Sequence, residues 1–430
     1  MFDWITSDRM LFVAGLILAG VQFAAALPWL WAIDRKGFER TTRSGSAMAV
    51  VLGGIVVAGA VLASLMGYKG DSSRLQQIGQ YGYGAVLNLQ LLIDLFLLMP
   101  AALVKVWPKG GAVALAAYRE GWRQPMFWLI IAAASCTMWF AVYIPYFTFG
   151  EDYKMMKQVG FDLVMLAALV FGVLAASMSI SEEIEGRTAV TLMSKPISRR
   201  QFLIGKFLGI LMACFAMSMI LSWNMSFCQR VVREYDPINN NPDPTDIMAK
   251  PRDKVVDAMT IQGARVMVPA FQKVVPTQPG KTIGKGCGIW FGDAYANAFG
   301  VALGFGQVMI LVAIATALAT RLPFVINIVI CLVIYIMGHL APVVVHITEI
   351  AKNRGDANDF SNLVGFLGQL FDVVLPALEF FNMGPAVIRE APLDLTSFGL
   401  YVLTVFGYAL LYTAVALIVG LLLFEDRDLA

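Results

Sequence analysis

The sequence predicts an all-α polytopic membrane protein with about nine transmembrane helices, and three observations lead there. Of 430 residues, 58% are hydrophobic and only 14% charged, with a mean hydropathy of +0.70. A soluble domain usually carries about 25% charged residues. The deficit is spread along the chain, so no single apolar core accounts for it. Nine apolar stretches are long enough to cross about 30 Å of hydrocarbon, which takes about 20 residues of α-helix. Finally, basic residues concentrate in alternate connecting loops, the bias that sets membrane orientation.

The first stretch, Met10–Ile33, follows a short segment containing Asp3, Asp8 and Arg9. It exceeds the roughly 7–15 residues of a signal-peptide core and lacks the basic lead-in, so it is read as a retained span. The others are Ala47–Gly67, Gly84–Val106, Met126–Phe147, Leu163–Ile180, Phe202–Ser222, Ala298–Ala319, Leu322–Val344 and Phe398–Phe424. Leu363–Phe381 is also apolar but is interrupted by Gln369, Asp372, Pro376 and Glu379, which suggests an interfacial or re-entrant helix.

Arg35, Lys36, Arg40 and Arg43 follow the first span; Lys109, Arg119 and Arg123 the third; Arg187, Lys195, Arg199 and Arg200 the fifth. Arg321 follows the seventh and Arg427 the ninth. The opposite loops dilute Arg9, Lys69, Arg74, Lys154 and Lys157 with acidic residues. The expected topology therefore has the N-terminus outside and the C-terminus cytoplasmic, in a plasma or inner membrane. Two long segments fall outside. Asn224–Asn297 is rich in Pro, Asn, Asp and Lys, and its stretches Ala264–Val268 and Lys273–Val275 suggest short strands of a small subdomain. Val345–Ser397 holds the interrupted helix.

Gly111–Gln124 places Leu115, Tyr118 and Trp122 on one helical face with Arg119, Glu120 and Arg123 opposite. That pattern suits a helix lying at the membrane surface, the plainer alternative being a cytoplasmic linker. Ser181–Arg200, between the fifth and sixth spans, joins an acidic helix end, a glycine, a short apolar run, a Pro-Ile-Ser turn and a basic pair. It reads either as a docking surface for another protein or as a solvated loop obeying the charge rule.

The run Glu182-Glu-Ile-Glu-Gly-Arg-Thr, Leu192-Met-Ser-Lys-Pro-Ile-Ser-Arg and Gly205-Lys-Phe-Leu-Gly resembles the signature of type-2 ABC transporter permeases. It departs from the usual Glu-Gly-Thr by placing Arg187 between Gly186 and Thr188. The layout of residues 111–430 is similar too: a surface connecting helix, six spans, and short helices outside between the last two. The resemblance implies an exporter subunit whose ATP and Mg²⁺ are bound by a separate cytosolic ATPase, with no cofactor on this chain and two permeases pairing as a homodimer or heterodimer. It also implies that residues 181–201 form a coupling loop, with Glu182, Glu183, Glu185, Gly186, Arg187, Thr188, Leu192, Pro196, Ser198 and Arg199 as its contacts. The three spans of residues 1–110 and the large external segment exceed the minimal plan.

Other motifs point elsewhere or nowhere. Pro279-Gly-Lys-Thr282 mimics the end of a phosphate-binding loop, but Val275 stands where the first glycine is needed, so a plain loop is expected and no ATPase activity on this chain. His339 and His346 lack Cys or carboxylate neighbours at ligand spacing, which favours a structural role over a metal site. No nucleic-acid partner is expected. Asp94 lies within the third span with Gln90 four residues earlier, and a proton relay and a helix contact both stay open. Cys228 and Cys287 sit near the ends of the external segment, where an oxidising exterior would let them pair. An ion-coupled secondary transporter or a non-transporting scaffold or sensor are the alternative functions.

Overall fold

The computed structural model describes residues 3–67, 72–144, 152–185, 197–235, 258–354, 359–382 and 395–425. Among the described residues every regular element is helical, and nine helices are long and apolar enough to cross a membrane. The protein is an all-α polytopic membrane protein. The spans α1 (Asp3–Ile33) and α3 (Gly45–Gly67) are joined by a short basic helix, α2 (Arg35–Arg43), whose N-cap Asp34 accepts a 2.9 Å bond from the Gly37 amide. A short α4 (Ser72–Gln77) leads through a π-helical segment (Ile78–Gly84) into α5 (Ala85–Val106). Prolines then punctuate the chain. Pro108 opens α6 (Pro108–Arg123) and Pro125 opens α7 (Pro125–Tyr143), at first-turn positions where no amide donor is needed.

Three long helices form the centre: α8 (Asp152–Glu185), α9 (Arg199–Tyr235) and α11 (Gln278–Ala319). Their apolar windows are 67–78% buried against 6–28% for the other six spans, which places them in the middle and the rest around them. Phe171, Met217, Leu221 and Ile310 are wholly buried among them. At 1.5 Å per residue the 42 residues of α11 extend about 63 Å, roughly twice the hydrocarbon thickness. The helices α12 (Phe324–Arg354) and α14 (Leu395–Glu425) flank α11.

The N-terminal half of α11 corrects the sequence reading. The segment expected to hold short strands has none among its described residues: α9 continues to Tyr235, Ala264–Val268 lies inside α10 (Ala258–Val274), and Lys273–Val275 covers the end of that helix and the first residue after it. The reason is a glycine seam. Gly284, Gly288 and Gly292 recur every four residues on one face of α11, and α10 lies directly on them. A Cβ at Gly288 would stand 2.6 Å from the Val268 Cα, and one at Gly292 2.7 Å from the Ala264 Cα. Only hydrogen fits between the two backbones, the packing that small residues at four-residue spacing permit. Pro279-Gly-Lys-Thr282 likewise is no loop. It opens α11 behind the N-cap Thr277, which accepts from the Gly280 amide at 3.2 Å.

The first spans dock on this same region. Gly79 of the π-helical segment meets the Ile283 backbone, and the Trp223 indole donates to the Ala85 carbonyl at 3.1 Å. The interrupted stretch 363–381 resolves into two parts. α13 (Asp359–Val374) folds back along the end of α12, with Gly365 against Thr348 and Gly368 against Val344, and stops ahead of Pro376. A 3₁₀ turn (Leu378–Phe381) follows, and its Leu378 and Phe381 are buried against Gly338 and Gly306.

Candidate functional site

At one end of the bundle, five parts of the chain converge where the segment 186–196 leaves α8 and enters α9. α9 begins with a capping box. Ser198 Oγ accepts from the Gln201 amide at 3.2 Å, and the Gln201 side chain accepts from the Ser198 amide at 3.1 Å. This orients the first turn so that Arg199 and Arg200 face the end of α14 while Lys206 points inward.

Lys206 is 5% exposed, and an ammonium that deep costs several kcal/mol unless its donors are met. Its Nζ donates to Glu183 Oε1 at 2.6 Å, Ser179 Oγ at 2.8 Å and Glu120 Oε2 at 3.4 Å. Ser179 Oγ in turn donates to Glu120 Oε2 at 3.3 Å. All three ammonium donors are thus used, by residues on α6 and the last turns of α8. A single side chain of α9 ties α6 to the stem of the departing segment.

The seat of α6 on α9 is a second glycine seam. A Cβ at Gly205 would stand 2.8 Å from both the Gly110 carbonyl and the Val113 Cβ, and one at Gly209 would meet Ala117 Cβ at 2.6 Å. The two glycines that frame Lys206 in Gly205-Lys-Phe-Leu-Gly209 therefore let α6 approach close enough for Glu120 to reach the ammonium. The hydrophobic side of α6 faces α5. Tyr118 is buried there, its hydroxyl donating to the Phe96 carbonyl at 3.2 Å. Burial pushes its phenol from the ordinary 10 up to about 12.

The other stem is fastened to the C-terminal end of α14. Arg199 Nη1 donates to the Glu425 carbonyl at 2.7 Å and the Phe424 carbonyl at 3.0 Å, and its guanidinium stands 5.7 Å from the Phe424 ring centre. Arg321, in the turn between α11 and α12, donates through Nε to the Leu423 carbonyl at 2.7 Å. The last carbonyls of a helix lack intrahelical donors and carry its negative dipole end, so two guanidiniums cap α14. Arg200 adds an exposed pair with Glu425 at 3.2 Å. Ser181 Oγ donates to the Leu322 carbonyl at 3.3 Å, joining α8 to the same turn. Beneath these polar contacts, Ile180, Phe202, Leu203, Ala319 and Phe424 form a small core, none more than 2% exposed.

Of the residues singled out from sequence, Glu183, Ser198 and Arg199 are part of this collar. Glu182 and Glu185 lie on the last turn of α8. Gly186, Arg187, Thr188, Leu192 and Pro196 lie outside the described residues. Cys228 and Cys287 are both buried and are free thiols, so the expected bridge is not made; each packs within its helix contacts, Cys287 beside Gly84. Asp94 is buried on α5, and its Oδ1 has no hydrogen-bond partner among the described residues. His339 joins two helices: Nδ1 donates to the Tyr335 carbonyl at 3.0 Å, which leaves Nε2 to accept from the Gln307 amide at 3.3 Å. Among the described residues no group of His, Cys, Asp and Glu is placed to hold a metal.

Sequence reasoning placed none of Lys206, Glu120, Ser179 and Arg321 at the site, though Arg321 counted towards topology and Glu120 towards the polar face of its helix. Lys206 stood inside a quoted motif, and a lysine just inside an apolar span is itself a signal. Its partners lie 23, 27 and 86 positions away. The model of the family described as "ABC-2 family transporter protein" matches residues 9–429. No curated protein and no solved structure gave a match.

Proposed function

Because this chain belongs to the ABC-2 transporter family, as a permease embedded in the membrane by nine apolar helices, we propose that it is the transmembrane subunit of an exporter driven by a separate cytosolic ATPase. In this reading the ATPase binds ATP and Mg²⁺, and the permease holds neither. Two permeases, identical or homologous, pair to enclose the pathway. The collar faces the cytoplasm, with the C-terminus on that side and the N-terminus outside.

The observation that carries the proposal is the fastening of both stems of segment 186–196. A loop that only spans a gap needs no such anchorage. Here one stem is clamped through Lys206 to α6 and the other through Arg199 to α14. Force applied to the loop by a docked ATPase therefore reaches α6, α8, α9 and α14 together. A rigidly held loop shifts the equilibrium between inward- and outward-facing states only through contacts that differ between them.

The test is co-purification in mild detergent. Wild-type protein is expected to bring down an ATPase, and Glu182→Ala/Glu185→Ala to lose it. Lys206→Met is expected to retain the ATPase while transport-linked ATP turnover falls. A well-folded wild type that recovers no ATPase overturns the reading and favours an ion-coupled transporter, with Asp94 as the next residue to replace.

A further inference from the structure

A cleft of about 620 Å³ opens between α1, α5 and α6, on the face of α6 opposite its glycine seam. That is within the about 300–1,000 Å³ usual for sites that take a small ligand. Its walls are apolar, including Trp31, Leu97, Pro100 and Leu115. At its rim stand Arg119 and Arg123, one turn apart on α6, both exposed and neither bonded to any described residue. Among the described residues no acidic side chain lines it. Arg35 stands 5.3 Å from the ring centre of the lining Trp31 and is committed to Glu39 at 3.0 Å.

We propose that this cleft binds one anionic phospholipid from the leaflet that α6 borders. The acyl chain would lie against Trp31 and Leu97, and the phosphate between the two guanidiniums. Three features select that occupant. The apolar floor continues into the lipid-facing surface, where Leu98 is 52% and Trp31 43% exposed, so an acyl chain enters laterally without crossing water. The rim offers only donors and positive charge, matching a phosphate and leaving a zwitterionic headgroup's ammonium unpaired. The amphipathic α6 connects two spans, the position in the chain that suits a helix lying among headgroups. The site joins two of the N-terminal spans, α1 and α5, to the helix held by Lys206, so its occupancy stiffens a joint between them. This goes beyond the transport reading and does not depend on it.

Native mass spectrometry of the full-length protein, titrated with dioleoyl phosphatidylglycerol or dioleoyl phosphatidylcholine, tests the proposal. Wild type is expected to retain one phosphatidylglycerol in preference to phosphatidylcholine. Arg119→Gln/Arg123→Gln should weaken it roughly thirtyfold, since each basic group near a headgroup contributes about fivefold. Ala101→Trp, which fills the cleft and keeps both arginines, should abolish it. Arg40→Gln/Arg43→Gln, equal in charge removed but outside the cleft, should leave it unchanged. Equal retention of the two lipids overturns the site, as does undiminished binding by Ala101→Trp, which would reduce the effect to surface charge. Displacement by glycerol 3-phosphate would overturn the acyl-chain assignment.

Discussion

Replacing Lys206 with Met keeps the aliphatic stem and removes the ammonium, so packing is nearly conserved while three hydrogen bonds vanish. Hydrogen bonds to charged groups contribute about 1.5–3 kcal/mol each. Two effects reduce the loss. The variant no longer desolvates a charge, and the partners are partly wet, with side-chain exposures of 25% for Glu183 and 47% for Glu120. About 1–2 kcal/mol of destabilisation is therefore expected. Glu183→Leu should cost more, about 2–4 kcal/mol, because it strands a buried ammonium on Ser179 and the longer Glu120 contact. In Lys206→Met/Glu183→Leu the stranded charge is gone, so the double variant should be no worse than Glu183→Leu alone. The assay is the folded fraction after graded heating in detergent, read by size-exclusion fluorescence for all four proteins. A coupling energy of about 1–2 kcal/mol is the expected signature of a clamp. Strictly additive losses would refute the clamp, whatever their size. Arg200→Gln, at a pair whose side chains are 70% and 51% exposed, serves as control and should shift stability by less than about 1 kcal/mol.

Gly209→Val should cost about 1–3 kcal/mol or more, since its Cβ meets Ala117 Cβ and the Tyr118 amide, whereas Gly54→Ala, with open space around it, should be neutral or slightly stabilising in the same heating assay. Asn327→Leu should cost about 1–3 kcal/mol: its wholly buried amide donates at 2.9 Å to both Ser177 Oγ and the Ala315 carbonyl, and the swap removes both bonds and leaves the buried Ser177 hydroxyl without that donor. Cys228 and Cys287 should take up maleimide only after denaturation, with or without reductant; a reductant-dependent gel shift would contradict their free state. The Tyr118 phenol, raised by burial from 10 to about 12, favours the folded state below pH 10 and loses that contribution as pH climbs towards 12. Tyr118→Phe should flatten the loss of stability over that window, measured against wild type.

The spans were legible because hydropathy and loop charge act locally, and a run of about 20 apolar residues has few other uses. Ala264–Val268 was misread for the opposite reason. Its β-branched residues suggest a strand, and what makes it a helix is the glycine face on α11, a partner some twenty positions away. That face was visible as Gly284, Gly288 and Gly292, but a four-residue period in a polar, lysine-containing segment is easily taken for loop composition. The collar was half legible. Glu183, Ser198 and Arg199 fall in the quoted run, while Glu120 and the end of α14 come from distant segments that only packing brings in. Cys228 and Cys287 show the limit of compartment arguments. Both lie on helices that run unbroken past the apolar stretches, and there they serve as small buried side chains.

The length of α11 has a mechanical consequence. It is an unbroken rod of about 63 Å, held near its N-terminal tip by α10 and the π-helical segment through backbones in direct contact. Its other tip ends at the turn where Arg321 grips α14 and Leu322 meets Ser181. A rod pivoting at its glycine-packed end by only about 5° swings the far tip by about 5 Å, one helical turn. Rotations too small to repack either seam can thus displace the collar by the distance between successive turns of its neighbours.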